Sequence, residues 1–149
     1  MKKLLMMSLL LATFTATFAQ SGDNEAVKAV LNNYKKAIEK LDTAGVVNLF
    51  VKYSKVYEHA SDEGTIGHYL EHHLGPELKA FKSFTFSNYK VDVTMAGEYA
   101  FSTETYIYTI VLAKDAKEIK SQGVATSVLR KTKAGWKIVQ THSSFRKAK

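Results

Sequence analysis

After the first twenty residues, apolar residues recur at three- and four-residue steps, which is the spacing of one face of a helix. They are Val27, Val30, Leu31, Tyr34, Ile38 and Leu41. Asp23 or Asn24 suits the N-cap of this helix, because either side chain can accept a hydrogen bond from a first-turn amide. In the same way, Asp42–Thr43 predicts the cap of a second short helix, whose apolar positions are Val46, Val47 and Phe50.

The next segment combines a short strand with a longer helix. Val51–His59 is predicted to be a strand, and residues 60–64 a loop. A third helix then carries its apolar residues on one side, at Ile66, Tyr69, Leu70, Leu74, Leu78 and Phe81. Gly75–Pro76 interrupts this helix, because glycine can end the first part in a left-handed cap and proline fits a first turn, where no amide donor is needed.

From Phe84 onward the period changes to two, which predicts β-strands with one buried face. In the first strand the apolar face is formed by Tyr89, Val91, Val93 and Met95. Three more strands are predicted, at Tyr99–Leu112, Glu118–Lys131 and Trp136–Phe145. Gly123 is a candidate for a bulge or bend. Short turns between the strands predict an antiparallel meander, and together with the helices it places the chain in the α+β class.

The composition indicates one folded domain and excludes several kinds of site. The 149 residues leave room for a single domain, and 46% hydrophobic with 23% charged residues is typical of a folded chain. Without cysteine, the chain has no disulfide, thiolate nucleophile or cysteine-ligated zinc. The formal charge is +7, but the basic segments lack the interleaved aromatic residues of a nucleic-acid surface. Neither nucleic acid nor a cofactor is expected.

The first 19 residues resemble a secretory signal peptide. Lys2 and Lys3 precede an apolar run from Leu4 to Phe14, and the small residue Ala19 closes the segment. The run is shorter than the roughly 20 apolar residues that a membrane span needs. We therefore expect cleavage after Ala19, a single domain over residues 20–149, no stable membrane anchor, and a periplasmic or secreted location.

The order of the elements resembles the SnoaL-like branch of the nuclear transport factor 2-like superfamily, over nearly the whole mature chain. The most specific part is the last strand, in which four residues follow the family's pattern: Gly135, Trp136, Ile138 and His142. Here Gly135 directly precedes Trp136, which departs from the family's spacing. The segment His68–Leu78 is also similar to small exported members.

This resemblance implies a cone-shaped domain of the cystatin-like kind. Its curved antiparallel sheet, about four long strands plus a short one, is expected to wrap around a pocket that the three N-terminal helices cap. Members of the superfamily include cyclases, isomerases, dehydratases and binding modules. The resemblance therefore implies a fold and a pocket, but no single activity.

Histidines are the main candidates for chemistry, and strand alternation places two of them. On the last strand, His142 shares a face with Trp136, so both are predicted to face the core or the pocket. An imidazole there could exchange protons near neutral pH, or could be a core histidine bonded to a nearby oxygen. In the first strand, Tyr57 and His59 face one way and Glu58 the other. His59 is then either a ligand contact at the pocket rim or a loop cap.

Further candidates lie on the third helix and on the strand Tyr99–Leu112. Helical angles place His73 on the flank of the apolar stripe, where it could face the pocket, and His68 and His72 nearly opposite. The last two could share a metal ion, although a solvated face explains them more simply. Glu104 could be a buried general base with a raised pKa, or a surface carboxylate paired with a lysine.

These residues are compatible with three functions. The leading hypothesis is an exported domain that binds a small apolar or aromatic molecule through Tyr57, His59, His73, Trp136 and His142. The three histidines of this set are expected to converge at the cavity, and whether they bind a metal stays open. The second hypothesis is a proton-transfer enzyme of the isomerase, cyclase or dehydratase type, in which His142 or Glu104 is catalytic. The third is a structural, dimeric accessory protein.

A homodimer is also predicted. Four long strands form a sheet with two faces, and the helices can cover only one of them. The other face still carries Tyr, Ile and Val, and exposed apolar area of this kind usually marks an interface. We therefore expect two copies to pair through the outer face of the sheet.

Overall fold

The structure, a computed structural model, describes residues 22–148. Within them, the first helix, α1, covers residues 22–39, and one turn of 3-10 helix follows at Val46–Leu49. The predicted signal peptide lies outside the described residues. Among those described, no helix is long and apolar enough to span a bilayer.

Six strands form one open sheet. They are β1 (Phe50–Glu58), β2 (Ser61–Gly64), β3 (Phe81–Ala96), β4 (Tyr99–Leu112), β5 (Glu118–Thr132) and β6 (Gly135–Lys147). Their order across the sheet is β2-β1-β6-β5-β4-β3, and the four long strands form the predicted antiparallel meander. β1 joins β6 in parallel. The segment predicted to be a loop is instead β2, which pairs with β1 at the sheet edge. The α+β class is confirmed.

Helix α1 packs on the sheet through the apolar face that its spacing predicts. The residues of this face are buried or half-buried in the core: Val27, Val30, Leu31, Tyr34, Ile38 and Leu41. The predicted second helix is only the 3-10 turn, in which Val46 is buried and Val47 is 48% exposed. Phe50 belongs to β1, because its backbone pairs with Ile138 of β6.

The predicted N-cap of α1 is wrong, because Asp23 and Asn24 both lie within the helix. The Asp23 carboxylate accepts hydrogen bonds from the Lys131 ammonium (Nζ–Oδ2 2.7 Å) and the Trp136 indole (Nε1–Oδ1 3.1 Å). Both bonds, that of Lys131 first, lower the pKa of Asp23. The hydrogen bonds of Asp23 therefore connect α1 to the β5–β6 hairpin.

The third helix is continuous but changes its hydrogen bonding in the middle. It consists of α2 (Ile66–Tyr69), a π-helical segment (Leu70–Leu74) and α3 (Gly75–Lys79). The left-handed cap predicted at Gly75 is wrong: its φ is −62°, and its amide donates to the carbonyl of Leu70, five residues back. Pro76 has no amide and its ring crowds the carbonyl four residues earlier, so a wider turn accommodates it.

The outer face of the sheet exposes several large apolar side chains. Tyr99, Phe101 and Val124 alternate with buried neighbours on β4 and β5, and Phe101 is 49% exposed. This is the face through which a homodimer was expected from the sequence, and the dimer stays a prediction.

The substitution Gly75→Ala should destabilise the domain. A β-carbon at this position would lie 2.3 Å from the carbonyl oxygen of Leu70, and this backbone atom cannot move without disturbing the π-helical turn. We expect the free energy of unfolding to fall by about 1–3 kcal/mol, as at other overpacked positions. Urea denaturation measures the change.

Gly67→Ala is the matched control within the same helix. Its β-carbon would meet nothing closer than 3.9 Å, and alanine favours a helix over glycine. If Gly75→Ala were as stable as Gly67→Ala, the close approach of the Leu70 carbonyl would not explain why glycine occupies position 75.

Candidate functional site

A cavity of about 380 Å³ lies between the helices and the inner face of the sheet. Small-molecule sites in proteins have volumes of roughly 300–1,000 Å³. Nine aromatic side chains line its wall: Tyr34, Tyr69, Phe81, Phe84, Phe86, Tyr89, Tyr106, Tyr108 and Phe145. Residues of α1, the third helix and every strand except β2 contribute to the lining, so the sheet curves around the cavity.

The pairing of β3 with β4 assembles this aromatic wall. The rings of Phe84 and Tyr108 lie 5.1 Å apart, and those of Phe86 and Tyr106 meet edge to face at 5.0 Å. A bulge follows Ser87, with Asn88 in the left-handed region at φ 52°. Because the bulge adds one residue, Tyr89 faces inward like Phe84 and Phe86, although its number is odd.

Gly123 makes room for one of these rings. It pairs with Tyr106 across an uninterrupted β4–β5 ladder, so the bulge predicted at Gly123 is wrong. A β-carbon on Gly123 would lie 2.2 Å from the Tyr106 ring. Because Gly123 has no side chain, the ring of Tyr106 can pack directly against the backbone of β5.

Glu104 lies in the wall of the cavity, which decides between the two alternatives left open by the sequence. The residue is 8% exposed, and its carboxylate accepts a short hydrogen bond from the Tyr89 hydroxyl. Burial raises the pKa of Glu104, and the Tyr89 bond opposes this only in part. Glu104 is thus a buried carboxylate surrounded by aromatic rings.

Two further carboxylates line the cavity nearer its edge. Glu58 accepts a hydrogen bond of 2.6 Å from the Tyr69 hydroxyl. Glu77 lies 3.3 Å from Nε2 of His73, and burial raises the pKa of Glu77. Nδ1 of His73 lies 2.9 Å from Glu63, and this hydrogen bond raises the pKa of His73. His73 therefore bridges two carboxylates at the cavity edge without itself lining the cavity.

The tyrosines of the wall are neutral hydrogen-bond donors. Burial raises the pKa of all five: Tyr34, Tyr69, Tyr89, Tyr106 and Tyr108. After burial, the charges of both Glu58 and Glu104 raise the pKa of Tyr34 and Tyr106 further. These two phenols therefore lie in the field of both carboxylates.

A bulge in β6 turns His142 away from the cavity. Val139 is an extra residue between the pairs Leu129–Ile138 and Val128–Gln140. An extra residue reverses the alternation of side chains, so that odd-numbered residues line the cavity beyond it. They are Thr141, Ser143 and Phe145. The prediction that His142 faces the pocket is therefore wrong.

Tyr57 and His59 also lie outside the cavity wall. On β1 the residues that line the cavity are Val56 and Glu58, so alternation turns Tyr57 to the other face, 6.4 Å from the His142 ring. His59 directly follows β1, in a left-handed conformation with φ 51°, and its carbonyl accepts a hydrogen bond of 2.8 Å from Nε2 of His142. Of the two alternatives for His59, the structure favours a loop residue.

The remaining candidates are also separate from the cavity. Trp136 is buried in the core, where it bonds Asp23. The rings of His68 and His72 lie 4.5 Å apart on the outside of the third helix. Within residues 22–148, no three His, Asp or Glu side chains are placed to hold a metal ion. The expected convergence of three histidines at the cavity is wrong.

Sequence reasoning missed Glu58, Glu77 and most of the aromatic wall. Alternation along β1 separates Glu58 from Tyr57 and His59, but it does not show which of the two faces is the pocket face. Phe84 and Phe86 are two residues apart on a strand, so alternation could have assigned both to one inner face. Glu77 did give a signal, because helical angles group it with the apolar residues Leu70 and Leu74 on the side of the third helix that faces the cavity.

Comparisons with known proteins agree with this architecture. A model of the SnoaL-like domain family matches residues 27–147. No curated protein matches the chain significantly. Among solved structures, a nuclear transport factor 2-like superfamily protein from Salmonella enterica superposes with a TM-score of 0.74 at 22% identity, over 87% of this chain and 94% of that one.

Two other solved structures carry proposed activities. A proposed dehydratase of the NTF2-like family from Streptomyces avermitilis has a TM-score of 0.76 at 20% identity, over 86% of this chain and 99% of that one. A proposed ketosteroid isomerase from Shewanella frigidimarina has a TM-score of 0.67 at 27% identity, over 80% of this chain and 94% of that one. These similarities confirm the fold.

The stability of the domain should depend on pH through Glu104. Its folded-state pKa is raised above the ordinary value of 4.5, so between that value and the raised pKa the folded state binds more protons than the unfolded state. The free energy of unfolding should therefore fall as pH rises through this window. Glu104→Gln cannot ionise, and we expect its stability relative to the wild type to increase as pH rises from 4.5 to neutrality.

Urea denaturation of both proteins at a series of pH values measures this difference. Glu77 also has a raised pKa, but it is present in both proteins and cancels. Glu25→Gln, which removes an exposed carboxylate paired with Lys28, controls for the loss of one negative charge. A difference between Glu104→Gln and wild type that stays constant with pH would contradict the burial of an ionisable Glu104.

Proposed function

The chain belongs to the SnoaL-like domain family, and on that premise we propose that it binds a small, largely aromatic or apolar molecule in its cavity. The observation that carries this proposal is the convergence of nine aromatic side chains around about 380 Å³ of space. A well-packed core of this size has few voids larger than a water molecule. A cavity this large and this apolar is the usual form of a small-molecule site.

The wall offers both packing surfaces and a few polar contacts. Phe81, Phe84 and Phe86 provide ring faces and edges for an apolar or planar ligand. Glu104 and the hydroxyls of Tyr34 and Tyr106 provide polar groups that can orient it. A few polar groups in an apolar wall are what gives such pockets their specificity.

In this proposal the domain acts outside the cytoplasm and in pairs. The basic and apolar pattern of the first 19 residues supports export with cleavage after Ala19. The exposed Tyr99, Phe101 and Val124 on the outer sheet face support a homodimer, since apolar area of this kind usually marks an interface.

Filling the cavity should weaken binding. Ala125 lies in the wall and is buried, so Ala125→Phe would place a ring in the ligand's space. Against a panel of mono- and bicyclic aromatic compounds followed by NMR, we expect the wild type to bind several. Ala125→Phe should weaken each of them at least about tenfold, the equivalent of roughly 1.4 kcal/mol.

The adjacent substitution Val124→Phe is the matched control, because Val124 points to the exposed outer face of the same strand. It should leave the affinities unchanged. Failure of every compound to shift the resonances of cavity residues, or equal binding by Ala125→Phe, would reject the proposed function.

Proton transfer by Glu104 is a second candidate function. Burial brings the pKa of Glu104 closer to neutral pH, which is what a general base requires. The phenols of Tyr34 and Tyr106 could donate to an oxygen on which negative charge develops. The similarity to a proposed ketosteroid isomerase at 27% identity supports this candidate. His142, the other catalytic candidate of the sequence, lies on the opposite face of β6.

Exchange of an acidic carbon-bound proton for deuterium tests this second function. With a cyclic ketone that binds the cavity, the wild type should accelerate exchange beside the carbonyl, and Glu104→Gln should slow it by about 10²–10⁴-fold. Ketone affinity, measured in the same samples, should change little. Glu25→Gln is the control for the charge. Binding without accelerated exchange would reject the enzyme and leave the binding domain.

A further inference from the structure

The carboxylates of the described residues differ in whether a lysine compensates their charge. Asp23, Glu25 and Glu39 each contact a lysine ammonium group. In the cavity, Glu58 and Glu104 form no ion pair with any Lys or Arg of residues 22–148. Their partners are the neutral hydroxyls of two tyrosines. A phenol satisfies part of the hydrogen bonding of a carboxylate but leaves its charge uncompensated.

The basic groups beside the cavity are already engaged. Lys35 lies in the cavity wall, and its Nζ is 2.7 Å from Glu39. His73, at the edge, lies 2.9 Å from Glu63 and 3.3 Å from Glu77. Although the chain as a whole carries +7, the wall therefore has an excess of negative charge.

The aromatic wall already packs against one ammonium group. Nζ of Lys35 lies 5.5 Å from the ring centroid of Phe86 and 5.5 Å from that of Tyr89. Both distances fall within the roughly 6 Å of a cation–π contact. Tyr89 is also the residue that bonds Glu104. Rings that pack against an ammonium group therefore lie next to the carboxylate of Glu104.

From this arrangement we propose that the ligand of the cavity is an organic cation: a primary to quaternary ammonium group on an apolar or aromatic body. This inference rests on the proposed binding function and adds the charge of the ligand to it. The ammonium group lies between the carboxylates of Glu58 and Glu104, against the rings of Tyr34 and Tyr106. The apolar body packs against the phenylalanines of β3.

Desolvation favours a cation over a neutral ligand. An apolar molecule that filled the cavity would remove the remaining water from Glu58 and Glu104 and provide nothing in return, which is costly for a carboxylate. An ammonium group compensates the same charges and keeps the contact with the rings. A cationic ligand packs against the aromatic wall and compensates the charge of both carboxylates at the same time.

Two probes of the same shape test the proposal: benzyltrimethylammonium and neopentylbenzene, in which a carbon replaces the charged nitrogen. Each is titrated into the purified protein and followed by NMR. We expect the cation to bind at least tenfold more tightly than its neutral counterpart. Its affinity should fall as salt is added, because salt ions screen the attraction between the cation and the carboxylates.

Glu58→Gln and Glu104→Gln locate the binding of the cation. Glutamine keeps an acceptor for the tyrosine hydroxyl and removes only the charge. Each variant should weaken benzyltrimethylammonium about tenfold and leave neopentylbenzene unchanged or tighter, which also verifies that the cavity is folded. Glu25→Gln, on the surface of α1, is the matched control and should change neither affinity.

The outcomes separate this inference from the proposed function. Equal or tighter binding of neopentylbenzene by the wild type overturns the cationic ligand but supports an apolar small-molecule site. Tight binding of the cation that persists in both glutamine variants also overturns the inference, because the cation then binds elsewhere. If neither probe binds, nor any compound of the aromatic panel, the proposed function itself fails.

Discussion

The domain depends on one geometric constraint, which is that its long strands present more inner surface than its helices can cover. β3 has 16 residues, which at about 3.3 Å each span roughly 50 Å if straight. Helix α1 covers residues 22–39, or about 27 Å at 1.5 Å per residue. The first turns of α1, with Val27 and Leu31, close a packed core against Trp136 and Ile138. Its last turns, with Tyr34 and Ile38, pack at the border of this core and line the cavity.

Two bulges determine which side chains of this uncovered surface face the cavity. In β3, one extra residue near Asn88 keeps Tyr89 on the inner face, beside Glu104. In β6, the extra Val139 moves His142 to the outer face and brings Phe145 inward. Each bulge acts on all residues beyond it, because the side-chain period of a strand is two. The cavity is therefore aromatic and acidic, and its wall contains no histidine within residues 22–148.

The chemistry of the cavity follows from placing carboxylates among phenols and phenyl rings. Burial makes the charge of Glu104 costly, and Tyr89 offsets only part of that cost. The charge of such a carboxylate is either neutralised by a proton or compensated by a cation. The first outcome corresponds to proton transfer, and the second to recognition of an ammonium group. The same residue thus supports both candidate functions, and the ligand's charge distinguishes them.

Local periodicity in the sequence predicts the α+β class, the order of the helices and long strands, the bounds of β4, β5 and β6 to within two residues, and the buried face of α1. It misses β2 and the first residues of β3. Local pattern also singled out Glu104, but left it between cavity and surface. Tertiary contacts instead determine the bulge at Val139, the π-helical turn before Pro76, the role of Asp23 and the place of Glu58. The physical reason is that a bulge or a cross-element bond depends on the partner strand or helix, and the sequence of one segment does not contain that partner.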